Sequence, residues 1–190
     1  SNINTTETKG SQELVNTIFG GIVNDTIIGG LQNDTIYGNS GDDTIFSSAG
    51  NDIIDGGAGS DTLNYSKIDN IGINANLVTG IVTGDGTDTI SNIENIIGTS
   101  NYSDILKGNS DKNIINGLRG HDTIYGIGGE NTLYGGTGVD VIYAATTKTG
   151  TERGDVVFGG QGTDTLIGSF HKDFLIGGEQ NGYDVEKDWV

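Results

Sequence analysis

Cysteine and proline are both absent from the 190-residue sequence, and only 9 Lys and Arg stand against 26 Asp and Glu. Without cysteine there is no disulfide, thiolate metal site or thiol nucleophile. A secreted chain of this kind needs another staple, a part that extracellular calcium can play. The lack of proline and of a three-residue period excludes collagen. A formal charge of −17 repels nucleic acid and anionic lipid and favours cationic partners. No apolar run is long enough to cross a membrane, so membrane insertion is not expected. The start has no basic stretch followed by an apolar one, so an ordinary cleaved export signal is not expected either.

What the chain does have is glycine, at 34 residues, and a nine-residue period. Residues 20–64 divide into GGIVNDTII, GGLQNDTIY, GNSGDDTIF, SSAGNDIID and GGAGSDTLN. Their sixth positions are Asp25, Asp34, Asp43, Asp52 and Asp61, and their eighth are Ile27, Ile36, Ile45, Ile54 and Leu63. After a break the sixth positions continue as Asp104, Asn113, Asp122, Asn131 and Asp140, then Asp155, Asp164 and Asp173. Large aliphatic residues from Leu106 to Leu175 hold the eighth position throughout these later copies.

Each nonamer reads as a turn followed by a short strand. Glycines such as Gly56, Gly57 and Gly59 permit positive φ and close stacking of backbones, and alternation sends only the eighth residue inward. Two nonamers make one coil with two strands and two turns, and stacked coils make two parallel sheets around a thin aliphatic core. A helix fails, because nine residues approximate two and a half turns and would put successive Ile on opposite faces. Each interior glycine would also cost about 1 kcal/mol.

These copies resemble the RTX, or haemolysin-type, calcium-binding nonapeptide GGxGxDxUx, in which U is a large aliphatic residue. GGAGSDTLN and GGQGTDTLI fit almost fully, and the resemblance covers about residues 20–183. It implies an all-β fold, a right-handed parallel β-roll with calcium between stacked loops, bound by Asp carboxylates and backbone carbonyls of neighbouring coils. Calcium suits such loops because it accepts six to eight oxygens at flexible angles. The metal ligands expected are Asp25, Asp34, Asp43, Asp52, Asp61, Asp104, Asp122, Asp140, Asp155, Asp164 and Asp173, holding about five to seven Ca2+ ions.

Partners lie one 18-residue coil apart. Asp25, Asp43 and Asp61 share one edge, and Asp34 and Asp52 the other. Later, Asp104, Asp122 and Asp140 share an edge opposite Asn113 and Asn131, where amide in place of carboxylate predicts weak or empty sites. If a six-residue loop within ATTKTGTERG bulges out without changing phase, Asp164 extends the Asp140 edge, while Asp155 and Asp173 continue beyond Asn131. Val23 and Gln32 replace glycine at the fourth position of the first two copies, which predicts poorer binding there.

The expected organisation is one continuous domain: an N-terminal cap over 1–19, calcium-binding repeats over 20–64, wider metal-free coils over 65–97, and repeats with a C-terminal cap over 98–190. Leu14 to Phe19 are expected to cover the first coil, and Tyr183, Val185 and Trp189 the last. Aromatic residues at the ninth position could shield the sheets or meet sugar rings. His121 and His171 stand in loops without a nearby ligand pattern, and there is no nucleophile elbow or metalloprotease motif. The chain therefore reads as a non-catalytic calcium-binding β-roll of a secreted or bacterial cell-surface protein. It would fold on calcium after export and serve as a rigid element. The alternative is a carbohydrate-binding or stabilising appendage of a secreted polysaccharide-active enzyme. Resemblance to such rolls also implies type I secretion.

Overall fold

The computed structural model describes residues 2–4, 14–47, 49–144, 154–169, 172–178 and 185–187. The first strands are β1 (Asn2–Asn4), β2 (Thr17–Gly21), β3 (Thr26–Ile28), β4 (Thr35–Asn39), β5 (Thr44–Phe46), β6 (Ile53–Asp55) and β7 (Thr62–Asn64). A middle group follows with β8 (Asn74–Asn76), β9 (Ile81–Gly84), β10 (Gly86–Ser91), β11 (Asn95–Ile97), β12 (Ile105–Lys107) and β13 (Ile114–Arg119). The last are β14 (Thr123–Tyr125), β15 (Thr132–Thr137), β16 (Val141–Tyr143), β17 (Val156–Gln161), β18 (Thr165–Ile167), β19 (Phe174–Ile176) and β20 (Val185–Lys187).

The strands form two sheets that the chain visits in alternation. One has the order β1-β3-β5-β7-β11-β13-β15-β17-β19, the other β2-β4-β6-β10-β9-β8-β12-β14-β16-β18-β20. In the repeats all pairing is parallel and in register by the eighth position, as in Ile45↔Leu63 and Ile124↔Ile142. Those residues are fully buried, and each removed from water contributes roughly 1.5–3 kcal/mol. The core is therefore a double file of single aliphatic side chains, with stability spread along its length.

The break departs from the expected wider coils. Here β8, β9 and β10 run as an antiparallel meander inserted in one sheet, while β7 pairs directly with β11 in the other. Two tight turns explain it: Gly80, at φ 67°, closes β8 onto β9, and Gly84 and Gly86 flank Asp85 between β9 and β10. The extra strands widen one side of the roll. Tyr65, Ile68, Ile73, Val82 and Ile93 are buried there and fill the wedge.

The N-terminal expectation also changes. Thr17–Gly21 is a rung paired with β4, with Ile18 buried in the inner file, whereas Leu14 and Val15 are exposed. In the C-terminal cap, Tyr183 and Trp189 lie outside the described residues. So does most of the loop after Ala144, yet β17 and β18 resume in register with β15 and β16.

Aromatic residues at the ninth position stack on one another between coils. Ring centroids are 5.2 Å apart for Phe19 and Tyr37, 4.8 Å for Tyr125 and Tyr143, and 5.0 Å for Tyr134 and Phe158. Lys107 lies over the Tyr125 ring at 5.1 Å. Within each of these pairs the rings lie nearly parallel and share a face.

The second position of several turns, including those at Gly30, Asn39, Gly57, Gly136 and Gly160, adopts positive φ, and two bulky residues do so there: Leu118 at 74° and Ile127 at 76°. An L-residue in this region carries a penalty of about 1–2 kcal/mol, so Ile127→Gly is expected to stabilise the protein by about 1 kcal/mol despite greater freedom in the unfolded chain. Urea unfolding in saturating calcium measures this, and a destabilised variant would contradict it.

Candidate metal centre

Every inner Asp sits at the start of a strand, after the turn and one residue before the first ladder bond, so the repeat itself aims it between coils. The structure brings the predicted residues into two files. In one, the Asp25 amide donates to Asp43 Oδ1 at 2.7 Å and the Asp43 amide to Asp61 Oδ1 at 2.8 Å. On the other edge the Asp34 amide donates to Asp52 Oδ1, and later the Asp104 amide to Asp122 Oδ1 and the Asp122 amide to Asp140 Oδ1, each at 2.8 Å. Across the long loop the Asp140 amide reaches Asp164 Oδ1 at 2.9 Å, and the Asn131 amide reaches Asp155 Oδ1 at 2.7 Å, so phase is kept. The Asp155 amide then donates to Asp173 Oδ1.

One oxygen of each carboxylate is thereby used to tie coils together. The second is different. Oδ2 of Asp34, Asp43, Asp52, Asp61, Asp122 and Asp140 is buried and accepts no hydrogen bond. A buried carboxylate oxygen with no donor is costly, and it calls for a cation or a proton.

Glycine at the first position makes room beside it. A side-chain carbon placed on Gly117 would lie 2.3 Å from Asp122 Oδ2 and 2.7 Å from the Gly135 carbonyl oxygen. One on Gly135 would lie 2.5 Å from both Asp140 Oδ2 and the Gly159 carbonyl oxygen. Carboxylate and carbonyl oxygens from adjacent coils thus converge on a space kept free of side chains. That all-oxygen donor set fits a hard cation such as calcium. Among the described residues no three His, Cys, Asp or Glu side chains gather at one point, because each cradle combines carboxylate with backbone.

Burial dominates the electrostatics. It pushes Asp52 and Asp122 up to about 7 and Asp61 and Asp140 to about 6, with neighbouring carboxylates adding to the rise. Asp43 and Asp104 are raised for the same reason, desolvation.

Two predicted ligands have other surroundings. Asp104 Oδ2 accepts the Thr99 amide at 2.7 Å, and Asp173 Oδ2 accepts the Ser169 amide, with Ser169 Oγ on Oδ1 at 3.1 Å. On the amide edge, Asn131 Nδ2 donates to the Gly128 carbonyl at 2.7 Å and Asn113 Nδ2 to the Glu94 carbonyl at 2.8 Å. In both cases an NH2 group bonds a carbonyl directly, with no need of a cation.

Sequence reasoning missed three sixth-position residues. Asn16 donates its amide to Asp34 Oδ1, Asp88 accepts the Asp52 amide at 2.9 Å, and Glu94 accepts the Asp61 amide at 2.8 Å. Asp88 carried a readable signal, since GDGTDTI repeats the consensus inside the break. His121 is more than a solvated loop residue, because its Nδ1 accepts the Val139 amide at 2.8 Å. His171 lies outside the described residues.

The signature of the RTX calcium-binding nonapeptide repeat (4 copies) matches residues 15–45, 37–66, 98–129, 125–145 and 149–183, more than half of the chain. A search of curated proteins finds no match. Among solved structures, the chain is similar to the extracellular lipase LipA from Serratia marcescens, at 21% identity and a TM-score of 0.38. That similarity covers 90% of this chain but only 34% of the lipase.

Proposed function

The chain belongs to the RTX calcium-binding nonapeptide-repeat family, and from that premise we propose that its Asp files hold several calcium ions whose binding completes the fold outside the cell. The chain is a repeat-built structural module, and the family match describes no catalytic domain. The observation that carries the proposal is the set of buried, donorless Oδ2 atoms, which face glycine-cleared cradles at Asp34, Asp43, Asp61, Asp122 and Asp140 and a cradle with Ser47 in the glycine position at Asp52. Asp34, Asp43, Asp52, Asp61, Asp122 and Asp140 are the principal carboxylate ligands, and Asp25, Asp155 and Asp164 continue the same files. Asp104 and Asp173 contribute less, because protein donors already serve both of their oxygens. Calcium, when bound, supplies positive charge to buried carboxylates. The protein's own part is to align carboxylates through the amide-to-Oδ1 bonds and to keep side chains out of the cradles.

In a cell interior poor in calcium, mutual repulsion of these carboxylates holds the repeats that carry them unfolded. In calcium-rich surroundings ligand binding becomes folding free energy. This makes the chain a rigid extracellular or surface element of a secreted protein, in keeping with type I export. The test is a far-UV circular dichroism titration of the chelator-treated protein with calcium, using magnesium as control. A cooperative gain of β signal with calcium at millimolar concentration or below, and none with magnesium, is the expected result. Full structure in chelator at neutral pH would overturn the proposal.

A further inference from the structure

Not every inner position is left asking for a cation. At Asp88, Oδ1 accepts the Asp52 amide at 2.9 Å, while Oδ2 accepts the Tyr65 hydroxyl at 2.8 Å and the Ser47 hydroxyl at 3.2 Å. Tyr65 is 2% exposed, so its hydroxyl donates to the carboxylate inside the roll, where water does not compete. At Asp104, Oδ1 accepts the Ile73 amide at 2.8 Å and Thr99 Oγ1 at 3.0 Å, and Oδ2 accepts the Thr99 amide. Asn113 accepts the Asn109 amide and donates to the Glu94 carbonyl, and Asn131 accepts the Asn113 amide and donates to the Gly128 carbonyl. Donorless oxygens flank this region on both sides, at Asp34, Asp43, Asp52 and Asp61 before it and at Asp122 and Asp140 after it.

The same region differs in its backbone and core. The β8–β9–β10 meander is built from local hairpins, whose ends are cheap to bring together compared with coil-to-coil pairing. Its core gathers more than single inward residues, since Tyr65, Ile68, Ile73, Val82, Ile90 and Ile93 are all buried there.

We infer that residues 65–119 form a calcium-independent waist, from which two separate calcium-dependent arrays grow in opposite directions. The inference rests on the calcium-folding reading and adds to it a spatial order. In low calcium the waist stands folded while both arrays are open, and added calcium extends order outward, one coil presenting a finished edge to the next.

Hydrogen exchange of the full chain, read by mass spectrometry on peptides in calcium and in chelator at neutral pH, tests it. In chelator, amides in peptides from 65–119 should exchange at least tenfold more slowly than those in 26–55 and 123–167, and calcium should slow both arrays. Uniformly fast exchange in chelator would overturn the waist and leave the calcium-folding reading standing. Uniformly slow exchange in chelator would overturn both. Tyr65→Phe removes the hydroxyl from Asp88 Oδ2 and should speed waist exchange in chelator by tenfold or more. Unchanged waist exchange in that variant would remove the network as its cause.

Discussion

Gly138→Ala is expected to cost about 4 kcal/mol and to lower the Tm by roughly 10 °C in saturating calcium. Gly138 holds φ at +145°, and a methyl there would stand 1.5 Å from the Gly120 carbonyl oxygen of the coil before. That oxygen belongs to the backbone, so relief requires two coils to part, and every bond of the ladder between them suffers. The neighbouring coil repeats the geometry, since a side-chain carbon on Gly162 would lie 1.5 Å from the Gly138 carbonyl oxygen. Val139→Ala is the control. Its side chain is 51% exposed, and a change within about 0.5 kcal/mol is expected. Equal Tm values for the two variants would mean that the coils do not stack as closely as described.

Acid should substitute for calcium. Asp52 and Asp122 titrate at about 7 in the calcium-free fold, and Asp61 and Asp140 at about 6, against about 3.9 in an unfolded chain. Folded values above the unfolded ones mean that the fold binds more protons. Stability from these groups is therefore fully present below about pH 4 and is lost as pH rises through 6 and 7. Calcium-free protein should thus gain β signal as pH falls from 8 to 5. Calcium added at pH 6 should release protons, detectable by calorimetry in two buffers of different ionisation heat, and should release few at pH 8.5. A flat calcium-free spectrum from pH 8 to 5, with no proton release at pH 6, would contradict the buried state of these carboxylates.

Much of this was legible in the sequence, for a physical reason. A roll repeats one environment, so position six and position eight carry the same meaning in every copy, and counting by 18 places Asp34 over Asp52 and Asp122 over Asp140. The 24-residue steps from Asn131 to Asp155 and from Asp140 to Asp164 followed from the same count once a six-residue loop was allowed. Where periodicity stopped, counting failed. Asp88 joins the Asp34 edge only because β9 and β8 fold back beyond it, a long-range outcome of two glycine turns. The partner of Asp104 was hidden too, since the turn between Gly98 and Asp104 had to be built before the Thr99 amide could be seen to face the carboxylate.

The inner and outer bonds between coils run in opposite senses. An inner amide donates forward to the next coil, as Asp43 does to Asp61, whereas outer amides donate back, Asp42 to the Asn24 side chain and Ser60 to that of Asp42. Each coil is thus clipped to the next in both directions at a fixed spacing of about 4.8 Å. The module behaves as a ruler with a two-edged scale. Adding 18 residues would lengthen it by one division and leave its far end facing the same way, whereas adding nine would exchange the two edges for everything downstream. Length and orientation can therefore change independently, provided that insertions obey this count or leave the phase of the roll unchanged, as the 24-residue step from Asp140 to Asp164 does.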